Sequence, residues 1–276
     1  MYVIRGFFLK FMIRSQAPAT KEYTIRSEKL KSPHRYVFLS DIHSCEYEND
    51  NEEVLRLITD EKPEAILLGG DTIIAREVKT KPDTWLDVIY PFLKRITSIA
   101  PVYAAEGNHE QALRGATRYY PKYVEYYEMM EKLQIRQLIN RHVSLNEAEL
   151  FGLRPNDVYY KKFRYRKPTT EEVRQCLGDP ETDRFSIVLS HHPRFFDALS
   201  AWGADLVLSG HFHGGLIRVG KQGLISPEPV LFPSYSGGRY EKDGTTMIVN
   251  CGLGTHTFMY RIGNPGEVTV LDLQPA

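Results

Sequence analysis

The sequence predicts an α/β fold in which two β-sheets pack face to face and helices cover their outer surfaces. Between residues 23 and 140, short apolar runs alternate with longer amphipathic segments, which is the pattern of layered α/β folds. Apolar runs of the same kind return at 186–192 and 204–211, after an irregular middle. From residue 215 onward, β-rich runs are separated by glycine and proline turns, so we expect antiparallel strands there.

The first predicted elements are two strands, a helix and a third strand. Residues 23–27 (YTIRS) and 35–40 (RYVFLS) predict strands because they are rich in β-branched and aromatic residues. Residues 49–62 predict an amphipathic helix, since apolar residues recur at helical spacing behind an Asn/Asp start. Residues 65–71 (AILLGGD) begin with a short apolar run that predicts a buried strand.

Two more helices and one strand complete this alternation. Residues 83–99 predict a helix that is disturbed at Pro91, because proline lacks the backbone N–H that a helix interior needs. Residues 102–108 (VYAAEGN) predict the next strand, and residues 118–133 predict the next helix.

We interpret residues 23–276 as one domain with a cap-like insert. The insert spans about residues 141–183, where the alternation stops and short strand candidates, a loop and a helix around 171–177 follow one another. A chain of 276 residues is large for one domain and long enough to bury a substantial core.

Residues 1–22 are treated as a separate N-terminal segment. Residues 1–13 are apolar and aromatic but are interrupted by Arg5 and Lys10, and they are shorter than the about 20 residues that span a bilayer. They also lack the order of a signal peptide. One interpretation is a helix that lies on a membrane surface, and the alternative is a segment that packs on the domain or frays. We therefore expect a cytoplasmic or membrane-associated protein.

The composition excludes several classes of protein. With 35 basic and 35 acidic residues, the chain lacks the positive charge of nucleic-acid binders, so we expect no nucleic-acid partner. Its three cysteines, Cys45, Cys176 and Cys251, are odd in number and far apart, which argues against a disulfide framework. No sequence feature indicates an obligate protein partner.

Five apolar runs stop at residues of the kind that bind metal ions. Buried parallel strands end at a common edge of a sheet, so side chains that follow them meet in space. In chain order the candidate ligands are Asp41, His43, Asp71, Asn108, His191, His211 and His213. An Asp-x-His or His-x-His pair alone is weak evidence, because strand residues two apart share a face for packing reasons too. The joint pattern of five such strand ends favours a metal site.

The types of ligand indicate the chemistry. Carboxylate, amide and imidazole ligands suit zinc, manganese or iron, and the lack of cysteine among them disfavours a structural zinc site. Seven ligands are too many for one tetrahedral ion but suit two divalent ions that share a carboxylate. Asp71 is the natural bridge, because its carboxylate has two oxygens and the two glycines before it allow a close approach.

The motifs DIH, GGD, GNHE, SHHP and GHFH, in this order between residues 35 and 215, resemble the signature of the calcineurin-like metallophosphoesterase family. The segment that follows resembles the family's bacterial branch, which is often membrane-anchored or exported. The resemblance implies a four-layer α/β/β/α sandwich of two mixed sheets with two metal ions. The ligands that it implies are Asp41, His43, Asp71 and His213 for the first ion, and Asp71, Asn108, His191 and His211 for the second.

The same resemblance implies that His109 faces the substrate as general acid or transition-state stabiliser. Metal-bound imidazoles must be neutral, so a protonated donor has to be a histidine outside the ligand set. His191 is favoured as a ligand over His192, because adjacent strand residues face opposite ways and the family match points to the first. We expect His192 to have a supporting or structural role.

The expected function is hydrolysis of a phosphodiester or pyrophosphate-type bond by a metal-dependent phosphoesterase. A hydroxide between the two ions would attack phosphorus, and lipid-linked or nucleotide substrates come first by resemblance. The alternatives are a phosphomonoesterase or protein phosphatase, and a non-catalytic metal-binding scaffold on the same fold. Nuclease action is disfavoured because the balanced charge offers no extended basic track.

Two stretches are candidates for binding the substrate. VYYKKFRYRK interleaves basic and aromatic side chains that suit phosphate oxygens and a ring or acyl group, or else it is a solvated segment. PSYSGGRY is a second candidate rim of the site. The candidate substrate-binding residues are Lys161, Lys162, Arg164, Arg166, Tyr235 and Arg239.

Overall fold

The structure is a computed structural model that describes most of the chain. The described residues are 17–47, 49–160, 166–180, 182–215, 218–220, 222–224, 231–254 and 263–276. Their strands are β1 (Ala19–Ser27), β2 (His34–Leu39), β3 (Ala65–Leu68), β4 (Val102–Ala104), β5 (Arg136–Gln137), β6 (Arg141–Leu145), β7 (Ala148–Leu153), β8 (Phe185–Ser190), β9 (Leu206–Ser209), β10 (Arg218–Val219), β11 (Gln222–Gly223), β12 (Gly238–Lys242), β13 (Thr245–Val249) and β14 (Glu267–Pro275).

Twelve of these strands form two mixed six-stranded sheets, in the orders β1–β14–β2–β3–β4–β5 and β12–β13–β9–β8–β7–β6. In the first sheet all neighbours are parallel except β14 and β2. In the second sheet β13, β9, β8 and β7 are parallel, while β12 and β6 close its edges antiparallel. Strands β10 and β11 form a separate hairpin.

Helices lie in the connections from β2 to β3, β3 to β4, β4 to β5, β7 to β8 and β8 to β9, as is usual for crossovers between parallel strands. Among the described residues they are α1 (Glu52–Asp60), α2 (Glu77–Thr80), α3 (Ile89–Ile96), α4 (Asn108–Gly115), α5 (Tyr120–Lys132), α6 (Thr170–Leu177) and α7 (Phe196–Trp202). Short 3₁₀ helices lie at Thr117–Tyr119, Asp157–Tyr160 and Pro193–Phe195.

Three buried apolar clusters show how the layers are stacked. Val37 and Leu39 of β2 pack with residues of α1, α3 and α5, whereas Tyr36 of β2 lies in the cluster between the two sheets. On the far side, Val207 of β9 packs with residues of α6 and α7. Because side chains alternate along a strand, each sheet contributes to two clusters. The layers are therefore helix, sheet, sheet and helix, which confirms the expected α/β sandwich.

The third helix is shorter than the sequence pattern predicts. It begins at Ile89 instead of near residue 83, and turns precede it. Pro91 consequently lies in the first turn, where its missing N–H would have no partner within the helix anyway.

The C-terminal strands are only partly antiparallel, so the prediction for this region was partly wrong. β13 runs antiparallel to β12 but parallel to β9, and β14 runs antiparallel to β2 but parallel to β1. Alternation of apolar and polar residues identifies a strand, but it contains no information about the direction of the neighbouring strand.

The region of the expected insert contains parts of the sandwich itself. β6 and β7 belong to the second sheet, and Val173 and Leu177 of α6 pack in the cluster on its outer face. In the order of the chain, the 3₁₀ helix Asp157–Tyr160 comes between β7 and α6.

The proposed N-terminal segment overlaps the first strand. Residues 19–22 belong to β1, which pairs with β14 along its whole length. Residues 1–16, on which the membrane-surface interpretation depends, lie outside the described residues. In the part of the chain that the structure describes, no helix is long and apolar enough to cross a membrane.

Candidate metal centre

The carboxyl ends of five strands bring the candidate metal ligands to one edge of the sandwich, as expected for parallel strands. The candidate ligands are Asp41 and His43 after β2, Asp71 after β3, Asn108 after β4, His191 after β8, and His211 with His213 after β9. All are buried except Asn108 and His211, which are half-buried. We refer to these seven residues as the ligand cluster.

One half of the ligand cluster is centred on His191. Its Nε2 lies 3.2 Å from Asp71 Oδ2 and 3.3 Å from His211 Nδ1. Asp71, His191 and His211 each offer one ligand atom, and these atoms lie within 4.8 Å of one another. This spacing suits a single metal ion bound by all three side chains.

The other half contains Asp41, His43 and His213. Each of them also offers one ligand atom, and these three atoms again lie within 4.8 Å of one another. His213 Nε2 lies 3.3 Å from Asp41 Oδ1, and His43 Nε2 lies 3.1 Å from His213 Nε2. Asp71 connects the halves, because its Oδ2 is also 3.9 Å from His43 Nε2. One carboxylate thus faces histidines of both groups.

Backbone hydrogen bonds orient three of the histidines. The Nδ1 atoms of His43, His191 and His213 lie 3.4, 2.9 and 3.2 Å from the carbonyl oxygens of residues 73, 69 and 254. A carbonyl oxygen only accepts, so each Nδ1 carries the hydrogen and each Nε2 directs its lone pair into the cluster. This is the tautomer in which imidazole binds a metal ion through Nε2.

The side chain of Asn108 tests whether a cation fits this place. Its amide oxygen lies 3.2 Å from Asp71 Oδ2 and 2.9 Å from His211 Nδ1, so it faces only acceptors. Exchange of the amide oxygen and nitrogen would convert both contacts into hydrogen bonds. Alternatively, a cation between the three atoms would turn the repulsion into coordination. Together with the facing Nε2 atoms of His43 and His213, this donor set fits divalent metal ions.

Five residues of the ligand cluster have a left-handed backbone. The φ angles of Asp41, His43, Asp71, His211 and His213 are 51°, 53°, 52°, 72° and 51°. Residues other than glycine rarely adopt positive φ, and such strained positions concentrate at functional sites. The strained turns explain how residues beyond the strand ends can direct their side chains back toward one point.

Gly107 allows the close approach between α4 and Asp71. A Cβ atom on Gly107 would overlap Asp71 Oδ1 and the Asp71 backbone nitrogen. The helix then presents its first N–H groups to the carboxylate, and His109 N–H donates to Asp71 Oδ1 at 2.8 Å. Because a helix N-terminus carries partial positive charge, it stabilises this anion. Oδ1 is thereby occupied, and Oδ2 remains directed at the histidines.

Burial disfavours the charged forms of Asp71 and His191, but the attraction between the two charges is the stronger effect. Burial alone would raise the pKa of Asp71, yet the facing His191, His109 and His43 hold it well below its usual value. Burial alone would lower the pKa of His191, yet Asp71 and Asp41 raise it to about 10. A raised pKa means that the His191 ring holds a second proton, on Nε2, when no metal ion is bound. A metal ion that binds His191 would have to displace this proton.

Glu110 is a functional residue for which the sequence predicted no role. Its buried carboxylate accepts the backbone N–H groups of Asp71, Thr72 and Gly107 at 3.0, 2.8 and 2.9 Å. It therefore connects the turn after β3 with the start of α4. Burial, followed by the charge of Asp71, raises its pKa to about 8. The sequence did contain a signal for this role. A glutamate three residues after the residue that caps a helix often accepts the backbone N–H of that residue, and Glu110 has this position relative to Gly107.

His109 stands at the edge of the ligand cluster. Its Nδ1 accepts the Ala75 backbone N–H at 3.1 Å, so its ring hydrogen is on Nε2. Its ring meets that of His43 edge-on, with 5.0 Å between centroids. His43, Asp71 and His109 also form a group that is close enough to hold a metal ion. Distance alone therefore permits either a ligand or a proton donor here.

His192 points away from the carboxylates. Its ring packs against His211, with centroids 4.3 Å apart, and stacks on Tyr160. Its Nδ1 accepts the Arg194 backbone N–H at 3.2 Å. Burial, and then the charges of His211, Arg194 and His191, lower its pKa well below the usual value. Its position agrees with the expected supporting role.

The described substrate-binding candidates make their contacts outside the ligand cluster. Arg166 forms an ion pair of 2.8 Å with Glu172 on the surface. Tyr235 packs edge-on against Phe196 and Tyr240. Arg239 pairs with Glu241 at 2.7 Å and donates to the Thr24 carbonyl oxygen. Lys161, Lys162 and Arg164 lie outside the described residues, so their binding of the substrate stays a prediction.

Sequence comparisons connect this geometry to known proteins. A family model described as calcineurin-like phosphoesterase matches residues 34–215. An uncharacterized metallophosphoesterase of Helicobacter pylori (strain J99) is 27% identical over 278 residues, which cover 99% of this chain and 68% of that protein. One of Aquifex aeolicus is 27% identical, with 92% and 91% covered. The phosphodiesterase YaeI of Escherichia coli K12 is 25% identical, with 88% and 83% covered.

Proposed function

The chain belongs to the calcineurin-like phosphoesterase family, and from this premise we propose that it hydrolyses a phosphodiester or pyrophosphate-type bond with two divalent metal ions. Membership makes it a metal-dependent phosphoester hydrolase. The single observation that carries the finer proposal is Asp71, whose Oδ2 faces His191 at 3.2 Å and His43 at 3.9 Å. One carboxylate oxygen is thus in reach of two groups, each of which is suited to one ion.

These contacts support a division of the ligands between the two ions. One ion would be held by Asp41, His43, Asp71 and His213, and the other by Asp71, Asn108, His191 and His211. Two such ions, typically about 3.5–4 Å apart, lower the pKa of a bound water and neutralise the charge of a phosphoryl group. Manganese, zinc and iron all suit the donor set.

The protein's own residues supply orientation and a proton. The Asp41 carboxylate is held by Ser40 Oγ at 2.8 Å and by the His211 backbone N–H at 3.0 Å, both on Oδ2, which leaves Oδ1 for an ion. His109 is the proposed general acid or transition-state stabiliser, since the Ala75 N–H on Nδ1 fixes the ring with its hydrogen on Nε2. Its Nε2–H would donate to the leaving oxygen, where negative charge develops as the bond to phosphorus breaks.

One observation favours a diester over a monoester, and a second favours a small substrate over a nucleic acid. A relative that spans most of this chain is a phosphodiesterase. The equal numbers of basic and acidic residues offer no track for a nucleic acid, so a small diester, lipid-linked or nucleotide, is proposed. Attachment to a membrane through the apolar and aromatic residues 1–13, as in the bacterial branch that the sequence resembles, is part of the same proposal.

A substrate screen separates this function from its alternatives. We expect the purified chain with added manganese to hydrolyse bis-p-nitrophenyl phosphate faster than p-nitrophenyl phosphate, and a chelator to abolish the activity. Faster hydrolysis of the monoester would indicate a phosphomonoesterase or protein phosphatase. Activity on neither compound, with metal still bound, would indicate a metal-binding scaffold and contradict the proposal.

A further inference from the structure

Two buried hydrogen-bond donors beside His211 have no acceptor among the described residues. They are Tyr160 Oη and His192 Nε2. The Nδ1 atom of His192 already accepts the Arg194 backbone N–H, so its ring hydrogen is on Nε2. A buried polar group without a protein partner is uncommon, and it often indicates that a water, an ion or a ligand completes it.

Tyr160 lies at one end of the ligand cluster. Its ring centroid is 5.8 Å from those of His192 and His211 and 6.3 Å from that of His191. His109, by contrast, packs on His43, whose Nε2 belongs to the other half of the cluster. Tyr160 and the proposed general acid therefore flank opposite halves of the metal centre.

The position of Tyr160 is determined by the helix that begins at Asn108. Tyr160 is the last residue of the 3₁₀ helix Asp157–Tyr160, and Arg114 Nη2 of α4 donates to Asp157 Oδ1 at 3.0 Å. The neighbouring Tyr159 packs edge-on against Phe195, with centroids 4.9 Å apart. These contacts hold the 3₁₀ helix in place, and the Tyr160 ring itself stacks on His192. An ordered ring reduces the entropy that is lost when a ligand binds its hydroxyl.

The surroundings of Tyr160 suit an acceptor-rich ligand. A tyrosine hydroxyl is protonated at neutral pH, so Tyr160 Oη is a hydrogen-bond donor. The neighbouring ligand cluster presents carboxylate oxygens and imidazole lone pairs, which cannot donate to a phosphoryl oxygen. A phosphoryl group has only acceptors, so a neutral donor is what it needs here.

We propose that Tyr160 Oη donates a hydrogen bond to a non-bridging oxygen of the substrate's phosphoryl group, at the end of the centre opposite His109. This inference rests on the proposed function and adds to it a substrate-binding group outside the ligand motifs. His192 supports the Tyr160 ring by stacking, with 5.8 Å between centroids.

The test is Tyr160→Phe, which removes only the hydroxyl oxygen. We expect kcat/KM for bis-p-nitrophenyl phosphate to fall about tenfold, mostly through KM, because a hydrogen bond to a charged group is lost. The affinity of the manganese-loaded protein for inorganic phosphate, measured by calorimetry, should fall to a similar extent. Metal content should not change. The melting temperature of the metal-free protein should not fall, since the removed oxygen has no partner among the described residues.

Tyr23→Phe is the matched control. Tyr23 Oη is also buried without a partner among the described residues, but its ring lies in the cluster between the sheets, in strand β1. Both substitutions remove an unpaired hydroxyl from a buried ring. Only Tyr160→Phe should change KM and phosphate affinity, while both should preserve the melting temperature.

The possible outcomes distinguish this inference from the function on which it rests. If the unaltered chain hydrolyses the diester and Tyr160→Phe matches it in KM and phosphate affinity, the role of Tyr160 is wrong and the proposed function stands. If Tyr160→Phe loses activity together with metal and several degrees of melting temperature, its role is structural and the inference is again wrong. An unaltered chain that neither hydrolyses the diester nor binds phosphate would overturn both.

Discussion

Replacement of Asp71 by Ala is expected to remove at least one metal ion and to reduce kcat to background. Asp71 Oδ2 lies 3.2 Å from His191 Nε2 and 3.9 Å from His43 Nε2, whereas Asp41 Oδ1 lies 3.9 Å from His191 Nε2, so Asp71 is the carboxylate that approaches both halves more closely. Loss of an ion removes several kcal/mol of charge stabilisation, which corresponds to a loss of roughly 10³-fold or more. The measurements are metal content by mass spectrometry and turnover of bis-p-nitrophenyl phosphate with manganese.

Two controls separate the lost ligand from a damaged backbone. The φ of Asp71 is 52°, where alanine costs about 1–2 kcal/mol, whereas Asn tolerates this conformation. Asp71→Asn should therefore fold better than Asp71→Ala and still fail to bridge two ions. Asp197→Ala removes a surface carboxylate that pairs with Lys242 at 2.6 Å, and it should leave metal content and turnover unchanged. Two ions bound to Asp71→Asn, with near-normal turnover, would contradict the bridging role.

Replacement of His109 by Ala is expected to reduce kcat by roughly 10²–10⁴-fold while both ions stay bound. The expected cause is loss of the proton donor, because the Nε2 hydrogen is fixed by the Ala75 N–H on Nδ1. The deficit should be larger for a diester with a poor leaving group, such as an alkyl alcohol, than for p-nitrophenolate, which needs no proton. The measurements are kcat for both kinds of diester and metal content.

This prediction also decides between the two roles that distance permits for His109. If the variant lost an ion, His109 would be a ligand of the group that it forms with His43 and Asp71. If it kept both ions and a near-normal rate on both diesters, His109 would have no part in proton transfer. Either result would contradict the proposed role of general acid.

The position of the metal centre could be predicted because each candidate ligand follows a short apolar strand. Strand ends in parallel sheets share an edge, so residues as distant as Asp41 and His211 were expected to meet. The structure brings them together, with the His211 backbone N–H 3.0 Å from Asp41 Oδ2. The layered fold was predictable for the same reason, since alternating strands and helices have few ways to pack.

Other features depend on contacts that no local pattern contains. The run of β-branched and apolar residues in β13 indicates a strand, but only the position between β9 and β12 determines that one neighbour is parallel. Glu110 has a role because its carboxylate reaches back to the turn at Asp71, 39 residues earlier. Tyr160 lies in a segment that reads as a loop, and only packing brings its ring beside His191 and His211. In each case tertiary structure, not local sequence, determines the function of the residue.

Anomalous diffraction from crystals of the manganese-loaded protein tests the central claim most directly. We expect two anomalous peaks about 3.5–4 Å apart, both within bonding distance of the Asp71 carboxylate, with His43 and His213 on one and His191 and His211 on the other. Asn108 should bind the second ion through its oxygen. A single peak, or two peaks that do not share Asp71, would contradict the proposed dinuclear centre.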